Sequence, residues 1–250
     1  MHFGITKAIN PNKTMKKFNF MALSCAVLLG FASCDLDDVN NEQVMNGYFT
    51  ITGSYPEYKL VQDDGTIVYP KAESVYDITK AQGFGNHKRA RFYVYFHEND
   101  VKTENGTTVI RNAELNNGDY LIEQKLLTEA AATEAGLLKE DSIYSINNVE
   151  CWLANGYLTS IFSAYYDQSI YPIANLYAKS TSDNAVTFTL LYNRHTKNDS
   201  NLGEGTFPYS FDITNFDVPG NDSITVTFEV KDKKPSSLKV SRSDFYFHAK

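Results

Sequence analysis

The sequence has few of the features that mark membrane-spanning, disulfide-bonded or nucleic-acid-binding proteins. No apolar run reaches the roughly 18–20 residues that a membrane-spanning helix needs. Only three cysteines occur in 250 residues, so little disulfide stabilisation is available. Lys and Arg total 23 against 30 Asp and Glu. This balance argues against nucleic-acid binding, because phosphate binding needs clustered lysine and arginine side chains. One Trp accompanies 17 Tyr and 16 Phe, and this aromatic content favours β-strands.

Residues 1–33 have the pattern of a secretory leader. Met15, Lys16 and Lys17 form a basic start, residues 18–31 are mostly apolar, and small residues lead to Cys34. Residues 31–34 (FASC) resemble a lipobox, the site where bacterial lipoproteins are acylated and cleaved. We therefore expect a lipidated Cys34, a true start at Met15 and attachment to the membrane through several acyl chains.

The segment that follows the leader is acidic. Four of the 23 basic residues and none of the acids precede Cys34, so the remaining 217 residues carry a net charge of −11. Such a charge favours solubility or cationic partners. Residues 34–45 are predicted to be a flexible acidic tether that resembles the export signal of surface lipoproteins in one Gram-negative phylum. The predicted location is the bacterial outer membrane, on its periplasmic or surface face.

Residues 46–127 are predicted to form a first β-domain of five or six strands. An Asp64-Gly65 pair between two β-branched runs predicts a hairpin, because Gly accepts positive φ freely. An Ala- and Glu-rich stretch then predicts a short helix or linker over residues 128–140, with Thr128 as its N-cap. The predicted strands of this half span residues 48–52, 58–61, 67–69, 89–96, 107–110 and 119–124.

Residues 141–250 are predicted to form a second β-domain. Alternation of apolar and polar residues over short, regularly spaced runs is typical of a sandwich with one buried face per strand. One larger β-unit made of both halves is the alternative. The predicted strands span residues 145–153, 157–165, 173–178, 185–192, 207–213, 223–230 and 238–247.

Several segments together resemble the NigD-like family of lipoproteins. The resemblance implies an all-β protein with an N-terminal OB-like small barrel followed by a C-terminal antiparallel β-sandwich. The family's name ties it to a bacteriocin gene cluster, which implies an immunity-type role. Besides the lipobox, the segments are residues 46–51 (NGYFTI), 58–66 (YKLVQDDGT), 91–94 (RFYV), 152–158 (WLANGYL) and 191–195 (LYNRH).

No pattern in the sequence predicts a catalytic residue, a metal site or a cofactor. The histidines do not occur at the spacing of a zinc pair, and no serine-nucleophile elbow is present. The candidate ligand-binding residues are the tyrosines that flank a polar turn and a histidine that opens a polar loop: Tyr165, Tyr166, Tyr171 and His195. Three further residues are predicted to be structural: Cys151 as a buried thiol, Trp152 as an apolar anchor and Arg194 at a strand end.

These observations predict a monomeric, lipid-anchored envelope protein that is not an enzyme. It would act as a binding or bacteriocin-immunity-type module for another envelope protein, a glycan or a toxin. The alternative is an envelope enzyme or accessory factor that processes glycans or peptides with a site at the domain interface. A pocket that holds a histidine or carboxylate with a shifted pKa would favour that alternative.

Overall fold

The computed structural model describes residues 17–19, 42–75, 87–139, 144–170, 173–194 and 201–246. The described residues form an all-β protein with an N-terminal barrel and a C-terminal sandwich, which confirms the predicted fold class. Cys34 and most of the predicted leader and tether lie outside the described residues. Within the described ranges, no helix is both long and apolar enough to cross a membrane.

The barrel is one sheet that closes on itself. Its strands follow the order β4-β3-β2-β5-β7-β6, and a parallel pairing between β4 and β7 completes the ring. Phe49, Ile51, Leu60, Phe92 and Val94 fill the interior. The strands are β2 (Glu42–Ser54), β3 (Glu57–Gln62), β4 (Ile67–Pro70), β5 (Arg89–His97), β6 (Val101–Glu104) and β7 (Thr107–Tyr120).

Two local predictions for the first half meet different outcomes. The Asp64-Gly65 hairpin is confirmed, since β3 and β4 pair antiparallel and Gly65 has a φ of 95°. The tether, predicted to extend to residue 45, ends earlier, because residues 42–45 already belong to β2 and pair with β5. Pairing with β5 outweighs the acidic composition of this segment.

The next strands leave the barrel. β8 (Ile122–Lys125) pairs with a strand of the sandwich, and so does β9 (Leu127–Thr128). By strand pairing, the division between the two domains therefore lies near Leu121. Helix α1 (Glu129–Glu134) follows, and its N-cap Thr128 accepts a hydrogen bond from the Ala131 amide at 3.1 Å, as predicted.

The sandwich consists of two five-stranded sheets. One has the order β1-β10-β11-β14-β8 and the other β16-β15-β13-β12-β9. Most neighbours are antiparallel, whereas β8, β9 and β15 pair in parallel with β14, β12 and β13. The strands are β1 (Lys17–Asn19), β10 (Asn148–Ala154), β11 (Tyr157–Asp167), β12 (Ile173–Ser182), β13 (Ala185–Asn193), β14 (Leu202–Asp212), β15 (Ile224–Val230) and β16 (Ser236–Val240).

Aromatic rings fill the space between these sheets. Phe162 stacks on Tyr209 with the ring centroids 5.7 Å apart and meets Tyr192 edge-on at 5.5 Å. The strand predicted for residues 238–247 ends at Val240, and helix α2 (Arg242–Phe245) follows. Phe245 inserts into the core from that helix, so this aromatic residue is buried without continuing the sheet.

Candidate functional site

A buried ion pair lies where the barrel meets the sandwich. Arg89 at the start of β5 donates from Nη1 to Asp63 Oδ1 at 2.5 Å and from Nη2 to Asp63 Oδ2 at 2.7 Å. The Arg89 side chain is 0% exposed and the Asp63 side chain 3% exposed. A bidentate pair of this kind fixes both side chains in one relative orientation.

The sandwich supplies further partners to this ion pair. Thr159 on β11 accepts a hydrogen bond from Arg89 Nη2 at 2.8 Å. Trp152 on β10 donates from Nε1 to Asp63 Oδ2 at 2.7 Å. Asn155, in the turn between β10 and β11, donates from Nδ2 to the Val61 carbonyl at 3.1 Å. These contacts cross the boundary between the domains and hold them together. We call this group the interdomain junction.

The surroundings of the junction are polar but closed. The Arg89 amide donates to Glu123 Oε1 at 2.9 Å, and the Tyr157 ring lies 5.6 Å from the guanidinium carbon of Arg89. Burial, reinforced by the charges of Asp212 and Glu123, raises the pKa of Tyr157 to about 12. An active site centred on the ion pair would require the two domains to separate. The junction therefore supports a structural role.

The exposed face of the barrel carries a second group of conspicuous side chains. The Arg91 guanidinium lies 6.0 Å from the centroids of both the Tyr48 and the Tyr93 rings, and its Nε donates to Asn46 Oδ1 at 3.0 Å. Tyr93 is 40% exposed and Val44, on the same face, 55%. We call these five residues the tyrosine–arginine surface.

Strand alternation explains how this surface arises. Asn46 pairs with Tyr93 and Tyr48 with Arg91 on neighbouring antiparallel strands, so their side chains share the outer face. The surface adjoins the sandwich, because the Tyr48 and Trp152 rings lie 5.1 Å apart. Large aromatic side chains beside an arginine and an amide are the composition typical of recognition surfaces.

The residues predicted to bind a ligand are only partly described. Tyr165 is 53% exposed at the end of β11, whereas Tyr166 points to the opposite face and packs edge-on against Phe207 at 5.2 Å. Tyr166 is thus tied to the sandwich core. Tyr171 and His195 lie outside the described residues, so the proposed grouping of the four stays a prediction.

The structure describes all three residues that the sequence predicts to be structural. Cys151 is fully buried in the sandwich core, and burial raises the pKa of its thiol well above the usual value. Trp152 is 3% exposed within the junction. The Arg194 guanidinium lies 4.2 Å from the Tyr144 ring centroid at the end of β13.

A shallow recess lies on the outer face of the second sandwich sheet. Its volume is about 340 Å³, near the lower limit for small-molecule sites. Leu138, Tyr177 and Leu191 form its apolar part, and Lys233 lies at its rim. The Lys233 ammonium already donates to the Asn147 carbonyl at 2.9 Å. Glu229 and Lys231 also line the recess, and the Glu229 carboxylate pairs with the Lys179 ammonium at 3.0 Å.

Among the described residues, the pKa shifts do not indicate a catalytic group. Burial raises the pKa of Tyr120 to about 12 and that of Cys151 above its usual range, and the ion pair with Lys71 lowers the pKa of Glu114. Each of these shifts moves the group away from neutral pH, whereas a general base needs a pKa near the working pH. Among the described residues, no three His, Cys, Asp or Glu side chains form a potential metal site.

Sequence reasoning missed the residues of the interdomain junction. From the sequence, Asp63 is predicted to lie in a turn, and Arg89 is predicted only to be the first residue of a strand. Their partners lie 70 residues from Arg89, at Thr159, and 89 residues from Asp63, at Trp152. The one available signal is that YKLVQDDGT and WLANGYL, which contain Asp63, Trp152 and Asn155, both belong to the family resemblance.

Comparison with known proteins identifies the second domain. Residues 126–241 match the NigD-like C-terminal β-sandwich domain. No curated protein matches the sequence.

Several solved structures resemble the chain, among them the three that follow. A candidate toxin-related protein from Parabacteroides distasonis is 16% identical, with 81% of this chain and 96% of that chain covered and a TM-score of 0.51. A candidate lipoprotein from Bacteroides fragilis is 8% identical, with 83% and 100% covered and a TM-score of 0.50. A NigD-like immunity protein from Bacteroides caccae is 14% identical, with 80% and 94% covered and a TM-score of 0.47. At these identities the first two establish a shared fold alone.

Proposed function

Because residues 126–241 match the NigD-like C-terminal β-sandwich domain, we propose that this chain is a lipid-anchored protein of the bacterial envelope that acts by binding a macromolecule. The lipobox-like FASC supports acylation of Cys34 and removal of residues 1–33. Outer-membrane attachment, on the periplasmic or the surface face, belongs to the same proposal. Several acyl chains would hold the protein at the membrane permanently.

The tyrosine–arginine surface is the observation that carries the binding function. Arg91 contacts two tyrosine rings and donates to Asn46, so these contacts restrict its side chain before any partner arrives. Pre-ordered side chains lose little conformational entropy on binding, which favours affinity. The junction next to this surface keeps the barrel and the sandwich in one orientation, so a partner could contact both domains.

The family name makes an immunity-type role the favoured form of this function. The partner would be a toxin, another envelope protein or a glycan, and no nucleic acid, given the net charge of −11 after the leader. The closed junction gives no support to the alternative of an enzyme at the domain interface. We propose a binding protein that works as a monomer on the membrane.

Site-specific photo-crosslinking in living cells tests the binding surface. A benzoylphenylalanine in place of Tyr93 should form an adduct of higher mass with a defined envelope component. Tyr55 is a matched control, because it is 53% exposed and lies beyond the far end of β2. Adducts at position 93 and none at position 55 are expected. Equal adducts at both positions, or none at position 93, would contradict the proposal.

The lipid anchor has a separate test. Cys34→Ala should release the protein from the membrane fraction, because the acylation site is lost while the folded domains remain intact. Cys151→Ala serves as the matched control, since this buried thiol is not acylated. Unchanged membrane partitioning of Cys34→Ala would exclude the anchor.

A further inference from the structure

The outer side of strand β10, which we call the β10 edge, pairs with β1 and lacks the usual protection against further pairing. Natural edge strands are short or carry lysine, proline or bulges. Among the other described sandwich edges, β8 has four residues and ends in Lys125, β9 has two residues, and β16 follows Pro235 and contains Lys239. β10 has seven residues, with no lysine or proline, and its register with β11 runs without a shift.

The structure places an extended segment on this edge. β1 pairs antiparallel with β10, so that Lys17 lies opposite Trp152, Phe18 opposite Cys151 and Asn19 opposite Glu150. β1 belongs to the leader, which the proposed processing at Cys34 removes. The mature protein would then present an open β10 edge to which a strand can be added.

The neighbours of this edge define what an added strand should contain. Side chains opposite one another across two strands share a face. A residue opposite Cys151 therefore faces the sandwich interior and should be apolar, because Cys151 is fully buried. Residues opposite Trp152 and Glu150 face the other side, where Tyr48 contacts Trp152. Glu150 is the only charged residue of β10.

We propose that the β10 edge binds an extended, cationic segment of a partner polypeptide by strand addition. The segment would place an apolar residue opposite Cys151 and basic or polar residues on either side. The charge of −11 after the leader and the aromatic rings of Tyr48 and Trp152 favour basic side chains there. This inference rests on the proposed binding function and supplies its mode, in which backbone hydrogen bonds give affinity and alternate side chains give specificity.

A peptide-binding experiment with the full-length chain tests this proposal. Phe18→Pro in the leader should weaken β1, because proline cannot donate to a strand ladder, and should leave the edge open. A synthetic peptide of residues 15–21 (MKKFNFM) then serves as the added strand. Trp152 is the only tryptophan of the chain and lies on β10, so its fluorescence reports binding.

We expect the peptide to saturate the Phe18→Pro chain and to bind the wild-type chain roughly tenfold more weakly or worse. The covalently attached leader strand competes at an effective concentration near the millimolar range. Hydrogen exchange at residues 149–152 should accelerate in the Phe18→Pro chain and slow again when peptide is added. Absence of binding to the Phe18→Pro chain would overturn the proposal.

Two control peptides separate the parts of the proposal. A peptide with Phe18→Pro should not bind, and equal binding would exclude strand addition. A peptide with Lys16→Glu and Lys17→Glu should bind at least severalfold more weakly, and equal binding would exclude a cationic partner. The crosslinking test at Tyr93 is independent, so peptide binding without a Tyr93 adduct would count against the tyrosine–arginine surface and leave strand addition standing.

Discussion

At the scale of single residues, we expect the Asp63–Arg89 pair to contribute strongly to stability, because both side chains are buried. Removing one partner of a buried, hydrogen-bonded ion pair leaves the other charge buried without compensation, which costs about 3–5 kcal/mol. Asp63 also accepts the indole hydrogen bond of Trp152. The pair therefore ties the stability of the barrel to that of the sandwich.

We expect Asp63→Ala to lower the free energy of unfolding by about 3–5 kcal/mol, measured by urea denaturation. Lys71→Ala is the matched control. It breaks a second ion pair, with Glu114 at 2.6 Å, whose side chains are exposed to solvent. Exposed pairs contribute at most about 1 kcal/mol. Equal losses for the two variants would mean that the junction is not the dominant ionic contact.

The raised pKa of Tyr157 predicts how the stability of the protein changes at alkaline pH. Its pKa is about 12 in the folded protein and 10.0 when unperturbed, because burial disfavours the phenolate. Between about pH 10 and 12 the unfolded chain has lost a proton that the folded chain keeps. Stability therefore falls as pH rises through this window.

Tyr157→Phe should make this alkaline loss of stability smaller, as measured by urea denaturation from pH 9 to 12. Part of the loss should remain, because burial also raises the pKa of Tyr120 to about 12. Identical pH profiles for the wild-type chain and the Phe variant would show that the Tyr157 hydroxyl does not titrate differently on folding.

At the scale of secondary-structure elements, β5 and β7 meet at a position that only glycine fits. A Cβ atom on Gly118 would lie 2.4 Å from Cε1 of Phe92, whose ring is fully buried. The register between β5 and β7 shifts next to this contact, between Phe92 and Tyr93. The close approach allows the barrel sheet to curve at this point.

Gly118→Ala should destabilise the protein by about 1–3 kcal/mol through overpacking of the barrel. Phe92→Leu combined with Gly118→Ala should recover part of that loss, because the shorter side chain vacates the space. A double-mutant cycle of unfolding free energies measures this coupling. Strictly additive effects would contradict a direct clash between the two residues.

The sequence predicts strands and hairpins better than it predicts which of these elements contact one another. Alternation of apolar and polar residues locates the long strands, and the Asp64-Gly65 pair fixes a hairpin, because both signals are local. β8 and β9 carry no local signal that assigns them to the sandwich. The domain division inferred from amino-acid composition therefore lies after these strands, whereas strand pairing places it before them. The junction depends on contacts between residues far apart in sequence, which no spacing rule reveals.

The tyrosine–arginine surface is not predicted from the sequence either, because it also depends on contacts between residues far apart in the sequence. RFYV predicts a strand and belongs to the family resemblance, yet alternation alone does not show which exposed face will be functional. Arg91 becomes part of a candidate binding surface only when the fold brings Tyr48 and Asn46 on β2 beside it. The predicted tyrosines at the end of β11 separate, because neighbouring residues of a strand face opposite sides.

At the scale of the whole molecule, the junction joins the two β-domains, and we expect them to unfold as one body. Each domain has its own aromatic and aliphatic core, so each could in principle unfold alone. The junction couples them, and this coupling places the tyrosine–arginine surface beside the β10 edge. A partner that contacts both surfaces would require their relative position to be fixed.

Equilibrium unfolding of the chain is the most direct test of whether the two domains unfold as one body. Trp152, the only tryptophan, reports on the junction by its fluorescence, while far-UV circular dichroism reports on all strands. We expect one transition in urea with the same midpoint by both probes. An early fluorescence transition followed by a separate loss of strand signal would show that the junction opens before the domains unfold, and would contradict the claim.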